Sequence, residues 1–316
     1  MKIAALAGGV GGAKLADGLQ RVAGSDLTVI ANTGDDFELH GLAISPDLDT
    51  VMYTLAGLAN PATGWGIEGD TFANLEMMSR YAAEDWFRLG DRDLATHILR
   101  TQWLRQGETL TEVTAVLSRA LGVQAAVLPM SDDRVATIVS TDEGELAFQE
   151  YFVHRRWQPA LRSVRFEGIE RARPSEVALQ AIEAADLIIF CPSNPFVSIE
   201  PILALSGLRE RIESSRACRV AVSPIVGGEA LKGPAAKMFR ELGQEPSAAA
   251  VARRYAGLID CFVLDRVDAG LGSEVQALGL QVLVADTVMR DSADRERLAR
   301  EIVDSALQKI KRDVGH

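Results

Sequence analysis

With 316 residues, 47% of them hydrophobic and 24% charged, the chain is long enough for one large α/β domain or two smaller ones with a full core. A formal net charge of −11 argues against a nucleic-acid backbone or an anionic membrane surface as the main partner, yet leaves room for a nucleotide held by local cations. Cys191, Cys218 and Cys261 are too few and too far apart for a disulfide framework or a zinc spacing, no run reaches the ~18 apolar residues of a membrane span, and the short apolar start, cut by glycines, is not expected to be a secretory leader, so the cytoplasm is the expected location.

Residues 2–7 read as a short buried strand, and residues 13–23 as a helix with Leu15, Leu19 and Val22 on one face. Between them lie Gly8, Gly9, Gly11 and Gly12, followed by Lys14. A strand that breaks into glycines and re-forms as a helix aims backbone N–H groups at whatever sits above the helix start, which suits a phosphate. The loop fits neither common fingerprint. Read from Gly9, the third glycine of G-x-G-x-x-G falls on Lys14, and a P-loop lysine would be followed by Ser or Thr where Leu15 stands. The competing reading is a tight strand-to-helix turn with no ligand.

Residues 27–31 form a second strand that ends in Asn32-Thr33-Gly34-Asp35-Asp36. Strand, glycine loop, helix, strand is the opening of a Rossmann-like, doubly wound and mostly parallel sheet, whose ligands collect outside the carboxyl ends of the strands. The first two loops are therefore expected side by side. Asn32 occupies the place where a nicotinamide enzyme carries an acidic ribose partner, which weakens that reading. A helix follows through Val51, Leu55 and Leu58, with Pro46 in its first turn and Ser45 or Asp47 as its cap. Asp35, Asp36, Asp47 and Asp49 together would repel one another beside a phosphate loop unless a hard cation such as Mg²⁺ sat among them.

From residue 65 to 122 the pattern turns helical, over 70–81, 91–106 and 111–121, and reads as a helical insertion within a single α/β nucleotide-binding domain spanning 1–316. Its loop at 84–90 carries Trp86, Phe87 and Arg88; such an arginine is either a solvated charge or a group facing a planar ligand or phosphate. Residues 123–128, 136–140 and 145–153 alternate like strands, and the arginine-rich stretch 155–173 reads as a solvated face. Two further buried strands, 186–191 and 219–222, each break into small polar residues: Pro192-Ser193-Asn194-Pro195, then Ser223-Pro224 with Gly227-Gly228. Hydroxyls, amides and free backbone N–H groups there are candidates for phosphate and ribose contacts, with Lys232 as a local cation. Strands at 261–264 and 281–285 and an amphipathic helix at 292–311 close the chain. His40, His97, His154 and His316 are scattered, so neither a histidine zinc site nor a Ser-His-Asp arrangement is expected.

Four stretches together, LAGGVGGAKLADGL, ANTGDDFELHGLAISPDLDTVMYTL, CPSNPFVSIEPIL and SPIVGGEALKGPA, resemble the 2-phospho-L-lactate transferase family of deazaflavin-coenzyme (F420) biosynthesis, in the family's order and over essentially the whole chain. The resemblance implies transfer of a 2-phospholactyl, phosphoenolpyruvyl or phosphoglyceryl group from a guanosine diphosphate donor to the ribityl hydroxyl of 7,8-didemethyl-8-hydroxy-5-deazariboflavin (Fo), with release of GMP, dependence on Mg²⁺ and a homodimeric state. Matched position by position, it puts the deazaflavin contacts on Asp49 and Arg88. It implies nucleotide binding by Gly8, Gly9, Gly11, Gly12, Lys14, Ser193, Asn194, Ser223, Gly227 and Gly228. The chemistry then centres on Asp49, which with Asp36 is expected to hold Mg²⁺. The rival reading is a non-catalytic nucleotide-sugar-binding regulatory protein of related fold, which has no evident use for Asp47-x-Asp49 or for the aromatic segment around Arg88.

Overall fold

The computed structural model describes residues 1–314, with side chains described through residue 312. In chain order, β1 (Ile3–Ala7), α1 (Gly9–Ala23) and β2 (Leu27–Ala31) are followed by a hairpin, β3 (Phe37–Leu39) and β4 (Leu42–Ile44), and by α2 (Pro46–Leu55). Three helices come next: α3 (Ala73–Arg80), α4 (Asp93–Arg105) and α5 (Leu110–Ala120). The chain returns to the sheet in β5 (Ala126–Pro129), then builds β6 (Ala136–Thr141), β7 (Gly144–Ala147) and β8 (Leu161–Glu167). After α6 (Glu176–Ala184) come β9 (Leu187–Phe190), α7 (Glu200–Leu203), α8 (Leu208–Glu213) and β10 (Cys218–Val222). A second hairpin, β11 (Ile225–Val226) and β12 (Glu229–Ala230), precedes α9 (Ala235–Glu241) and α10 (Ala248–Tyr255). The last elements are β13 (Cys261–Asp265), α11 (Gly272–Gln276), β14 (Gln281–Ala285) and α12 (Ser292–Val314). No helix among the described residues is long and apolar enough to cross a membrane.

Seven strands form one parallel sheet in the order β14-β13-β10-β9-β1-β2-β5. Both faces are covered, as a parallel sheet requires. The two-residue period of β1 divides its side chains accordingly. Ile3, Ala5 and Ala7 face the layer that includes Leu15 and Leu19 of α1, Val51 of α2 and Leu298 and Ile302 of α12, whereas Ala4 and Leu6 face Ile182 of α6, Phe239 of α9 and Val251 of α10. A three-stranded antiparallel sheet, β7-β6-β8, packs over that second layer through Val139 and Leu161.

Strand order reverses between β1 and β9: the chain winds from β1 toward β2 and β5, then from β9 toward β10, β13 and β14. The carboxyl ends of β1 and β9, whose Leu6 and Phe190 are register partners, therefore diverge into loops that leave a crevice above them.

Several local expectations are corrected. The first helix begins at Gly9 and not at residue 13, because the glycines are themselves its first turn. The strand expected over 145–153 stops at Ala147 and gives way to a π-helical turn, Glu150–His154, since Phe148 and Tyr151 are both drawn into the core. The helix expected over 70–81 is shorter, Ala73–Arg80, and buries none of its residues.

Candidate active site

A cleft of about 650 Å³ opens above the β1/β9 switch point. All four loops singled out from the sequence reach it, through Gly8, Gly9, Gly11 and Lys14, through Asp35, through Ser193 and Asn194, and through Ser223. Asp49 and Arg88 line it as well, whereas Gly12, Asp36, Gly227 and Gly228 do not.

The glycines at the start of α1 are there because another loop lies against them. A Cβ on Gly11 would strike the carbonyl oxygen of Pro192, one on Gly12 the Ser193 hydroxyl, and Gly9 has φ 60°. Ser193 ties the two loops together: its hydroxyl accepts from the Gly8 amide at 3.0 Å and donates to the Gly8 carbonyl at 2.8 Å. The Gly9 amide donates to Asp47 Oδ1 at 2.7 Å, so Asp47 does not cap its own helix but the neighbouring α1. Val10 and Gly11 line the cleft, and their amides, in the first turn of α1, have no carbonyl a turn earlier to bond. Gly227 and Gly228 serve a different purpose. They are the two-residue turn of the β11–β12 hairpin, with φ of 60° and 81° as a primed turn demands, and the Gly227 amide is taken by Asp268 Oδ2 at 3.0 Å. Half-buried Asn194 has its side-chain oxygen accepting from the Phe196 amide at 2.9 Å, and the Ser223 hydroxyl donates to the Ile225 carbonyl at 2.7 Å.

Two carboxyl arrangements face the cleft, and they differ in compensation. Asp35 and Asp47 share the side-chain amide of Asn32, which donates to Asp35 Oδ1 and to Asp47 Oδ2 at 3.0 Å each. Gln149 donates to the other Asp35 oxygen at 3.1 Å. Among the described residues no basic side chain pairs with either. Burial, reinforced by the charge of Asp47, holds Asp35 well above the usual carboxylate range, and burial pushes Asp47 up to about 6. Asp49, by contrast, has both oxygens on the guanidinium of Arg100, one contact at 3.0 Å and a shorter one between Nη2 and Oδ1. Asp36 does not reach the cleft; its Oδ2 accepts from Ser45 at 2.6 Å, while Oδ1 is buried without a partner, and burial raises its pKa strongly.

Around Asp49 lies a network that the linear pattern did not reveal. His97 Nδ1 is 3.3 Å from Arg100 Nη1 and 3.8 Å from Asp49 Oδ2, and its Nε2 is 3.2 Å from Asp93 Oδ1. Tyr53 donates to Asp93 at 2.7 Å. Burial alone would raise Asp93, but His97, Tyr53 and Arg100 together hold it below the usual range, and Asp49 raises Arg100 against its burial. Asp49, Asp93 and His97 present ligand atoms within 4.8 Å of one another, a grouping of metal-binding type. Arg100 already supplies a cation to that cluster, whereas among the described residues the Asp35–Asp47 pair has none. The signal was present: Asp93, His97 and Arg100 fall at i, i+4 and i+7, one face of α4.

Apolar and aromatic side chains also line the cleft, among them Trp65, Phe87, Phe148, Phe152 and Trp157. Arg88 lies over the Phe72 ring at 4.3 Å. Lys14 reaches back to the Met289 carbonyl at 2.8 Å, and its pKa is lowered by burial and by the charges of Arg295 and Lys232. A bound polyanion would be welcome there.

A sequence model of the family described as 2-phospho-L-lactate transferase CofD matches residues 3–307. This chain belongs to that family. Among its relatives are the phosphoenolpyruvate transferase of Streptomyces griseus, 45% identical over 97% of this chain and 98% of the relative, and the 2-phospho-L-lactate transferases of Methanosarcina mazei, 40% identical over 94% and 97%, and of Methanopyrus kandleri, 41% identical over 96% and 97%. Two solved structures of a UPF0052-family protein from Bacillus halodurans share the fold, with TM-scores of 0.61 and 0.62 at 17% and 16% identity over 96% of this chain and 99% and 98% of theirs. The family relatives are named as transferases of two different small acids. A member of the CofD family with this cleft is accordingly an enzyme of the transferase class.

Proposed function

We propose that this chain transfers a phospholactyl-type group, 2-phospholactyl, phosphoenolpyruvyl or phosphoglyceryl, from a guanosine diphosphate donor to the ribityl hydroxyl of Fo, releasing GMP, as a Mg²⁺-dependent step of coenzyme F420 biosynthesis. The observation that carries it is the convergence, in one cleft, of open amides at the start of α1, an uncompensated carboxyl pair and aromatic side chains with Arg88. The amides of Val10 and Gly11 and the Lys14 ammonium hold the diphosphate. Asp35 and Asp47 fit a Mg²⁺ ion facing it, and such an ion supplies charge neutralisation of the diphosphate and of the departing GMP. Asp49, fixed by Arg100, orients the acceptor hydroxyl.

In the transfer, the ribityl oxygen forms a bond to the phosphorus that carries the three-carbon acid, the bond from that phosphorus to the GMP oxygen breaks, and the hydroxyl proton is released. A loose phosphoryl-transfer transition state asks chiefly for alignment and charge compensation, and little for a strong base. The two relative names favour no single acid, because lactyl and enolpyruvyl groups differ by a few atoms that one or two cleft side chains would read. The test is incubation of the protein with Fo, Mg²⁺, GTP and each phospho-acid together with its guanylyltransferase. A mass increase of Fo by one acid-phosphate unit is expected with one of the three. Absence of product with all three, with Fo recovered intact, would refute the reading.

A further inference from the structure

Among the described residues, Arg100 is the only side chain that hydrogen-bonds Asp49, and its own anchorage is thin. Its Nε is buried without a partner, so the guanidinium is held only at its Nη ends. Nη2 is on Asp49 Oδ1, while Nη1 is on Asp49 Oδ2 at 3.0 Å, on His97 Nδ1 at 3.3 Å and 3.5 Å from the Ala43 carbonyl, the limit of a useful bond. A guanidinium tied to nothing but the carboxylate it fixes would turn with it. His97 supplies the outside anchor. Because a guanidinium nitrogen only donates, Nδ1 accepts, and the ring proton sits on Nε2. That Nε2–H lies 3.2 Å from Asp93 Oδ1, near enough for attraction though not in line for a full hydrogen bond, and the same oxygen accepts from Tyr53 at 2.7 Å. Asp49 and Tyr53 are one turn apart on α2, and Asp93, His97 and Arg100 share one face of α4. The contacts therefore leave α2 at Asp49, cross α4 and return to α2 at Tyr53, a closed ring with Tyr53, His97 and Arg100 buried.

We infer that His97 is a positioning residue of the transfer reaction: held as the Nε2–H tautomer, it sets the orientation of the Arg100 guanidinium and through it that of the Asp49 carboxylate in the cleft. This rests on the reading of Asp49 as the group that orients the acceptor hydroxyl. The tautomer also decides what His97 is not. With Nδ1 accepting from Arg100 and Nε2 carrying the proton, neither nitrogen keeps a lone pair for a metal, so the ring does not complete a cation site with Asp49 and Asp93 despite their spacing. Asp49, Asp93 and His97 all line the cleft, so a carboxylate released from this ring is misplaced where attack occurs, and a displacement of about 1 Å at a reacting centre costs on the order of 100-fold in rate.

Asparagine and glutamine separate the two ring nitrogens. His97→Asn puts an amide oxygen near the place of Nδ1 and still accepts from Arg100, His97→Gln puts its terminal amide near Nε2 and faces Asp93 without serving Arg100, and His97→Leu does neither. In the transfer assay with Fo and Mg²⁺, kcat is expected to fall about three-fold in His97→Asn and roughly 30- to 100-fold in His97→Gln and His97→Leu, with KM for the guanosine diphosphate donor within about two-fold of wild type. The order of kcat should not follow the order of Tm. In wild-type protein carrying ¹⁵N-labelled histidine, the ring cross-peaks that vanish in His97→Asn should show the Nε2–H pattern and stay in place when Zn²⁺ is added. An Nδ1–H pattern, or an Nε2 signal displaced by Zn²⁺, overturns the tautomer and the role with it. Equal losses in His97→Asn and His97→Gln, or a loss confined to KM, overturn the positioning of Asp49 while leaving the transfer reading intact. Wild-type protein that shows the Nε2–H pattern yet makes no product refutes the transfer reading on which the role rests.

Discussion

Asp47→Asn separates stability from function in a way that can be worked out from the structure. In the folded protein burial raises Asp47 from the ordinary 3.8 to about 6, a shift of about two units, or about 3 kcal/mol of penalty on the ionised form. Because the folded-state pKa is the higher one, the folded protein binds the extra proton. The associated stability is fully present below the unfolded-state pKa and is lost as pH rises through about 6. Asparagine carries no charge to desolvate and can still accept from the Gly9 amide, but it sets its own NH₂ against that of Asn32, at a cost of about 1 kcal/mol. The variant should therefore be more stable than wild type at pH 7.5 by about 2 kcal/mol, roughly 3 °C in Tm for a chain of this size, and the advantage should vanish or reverse near pH 5. Mg²⁺ should reverse the ranking at pH 7.5, since a cation at a hundred times its Kd adds about 2.7 kcal/mol to the protein that binds it. Transfer activity should be lost. Thermal unfolding from pH 5 to 8, with and without Mg²⁺, reads all of this. If Asp47→Asn is destabilised at pH 7.5 and responds to Mg²⁺ as wild type does, then Asp47 is neither a strained carboxylate nor part of a cation seat.

Other expectations follow from the same geometry. Arg100→Met strands Asp49 in the interior and should cost about 3–5 kcal/mol in denaturant unfolding, whereas Arg100→Met with Asp49→Leu should recover most of that stability without recovering turnover. Gly11→Ala meets the Pro192 carbonyl and should destabilise by about 1–3 kcal/mol, while Gly270→Ala, with open space around it and no left-handed backbone, should stay within about 0.5 kcal/mol of wild type. Lys14→Gln should weaken GDP binding by about ten-fold and flatten its salt dependence, read by calorimetry at two ionic strengths. Gly227→Asn, a residue that the hairpin turn accepts, should keep turnover within about two-fold; a large loss would return the glycine pair to the nucleotide site.

Much of the framework was legible in the linear chain, because it depends on local signals. Apolar runs such as residues 27–31 and 281–285 announce strands, and the glycine break after β1 announces a helix start. The repetition of strand followed by small polar residues at 192–198 and 223–228 announces loops that converge on the cleft. Family membership was legible as well, through four short stretches in order. The purposes of individual residues were not. Gly12 is small because Ser193 stands against it, and Gly227 and Gly228 are paired because a hairpin turns there, facts of packing that no spacing states. In the linear chain Asp35, Asp36, Asp47 and Asp49 are equivalent candidates for a cation, and only the family resemblance singles out Asp49 with Asp36. The fold brings Arg100 from α4 onto Asp49 and leaves Asp35 with Asp47, joined by Asn32, as the pair without a counter-charge. Which carboxylates are compensated depends on what the interior places beside them, and burial multiplies that difference. Only the tertiary structure could assign it.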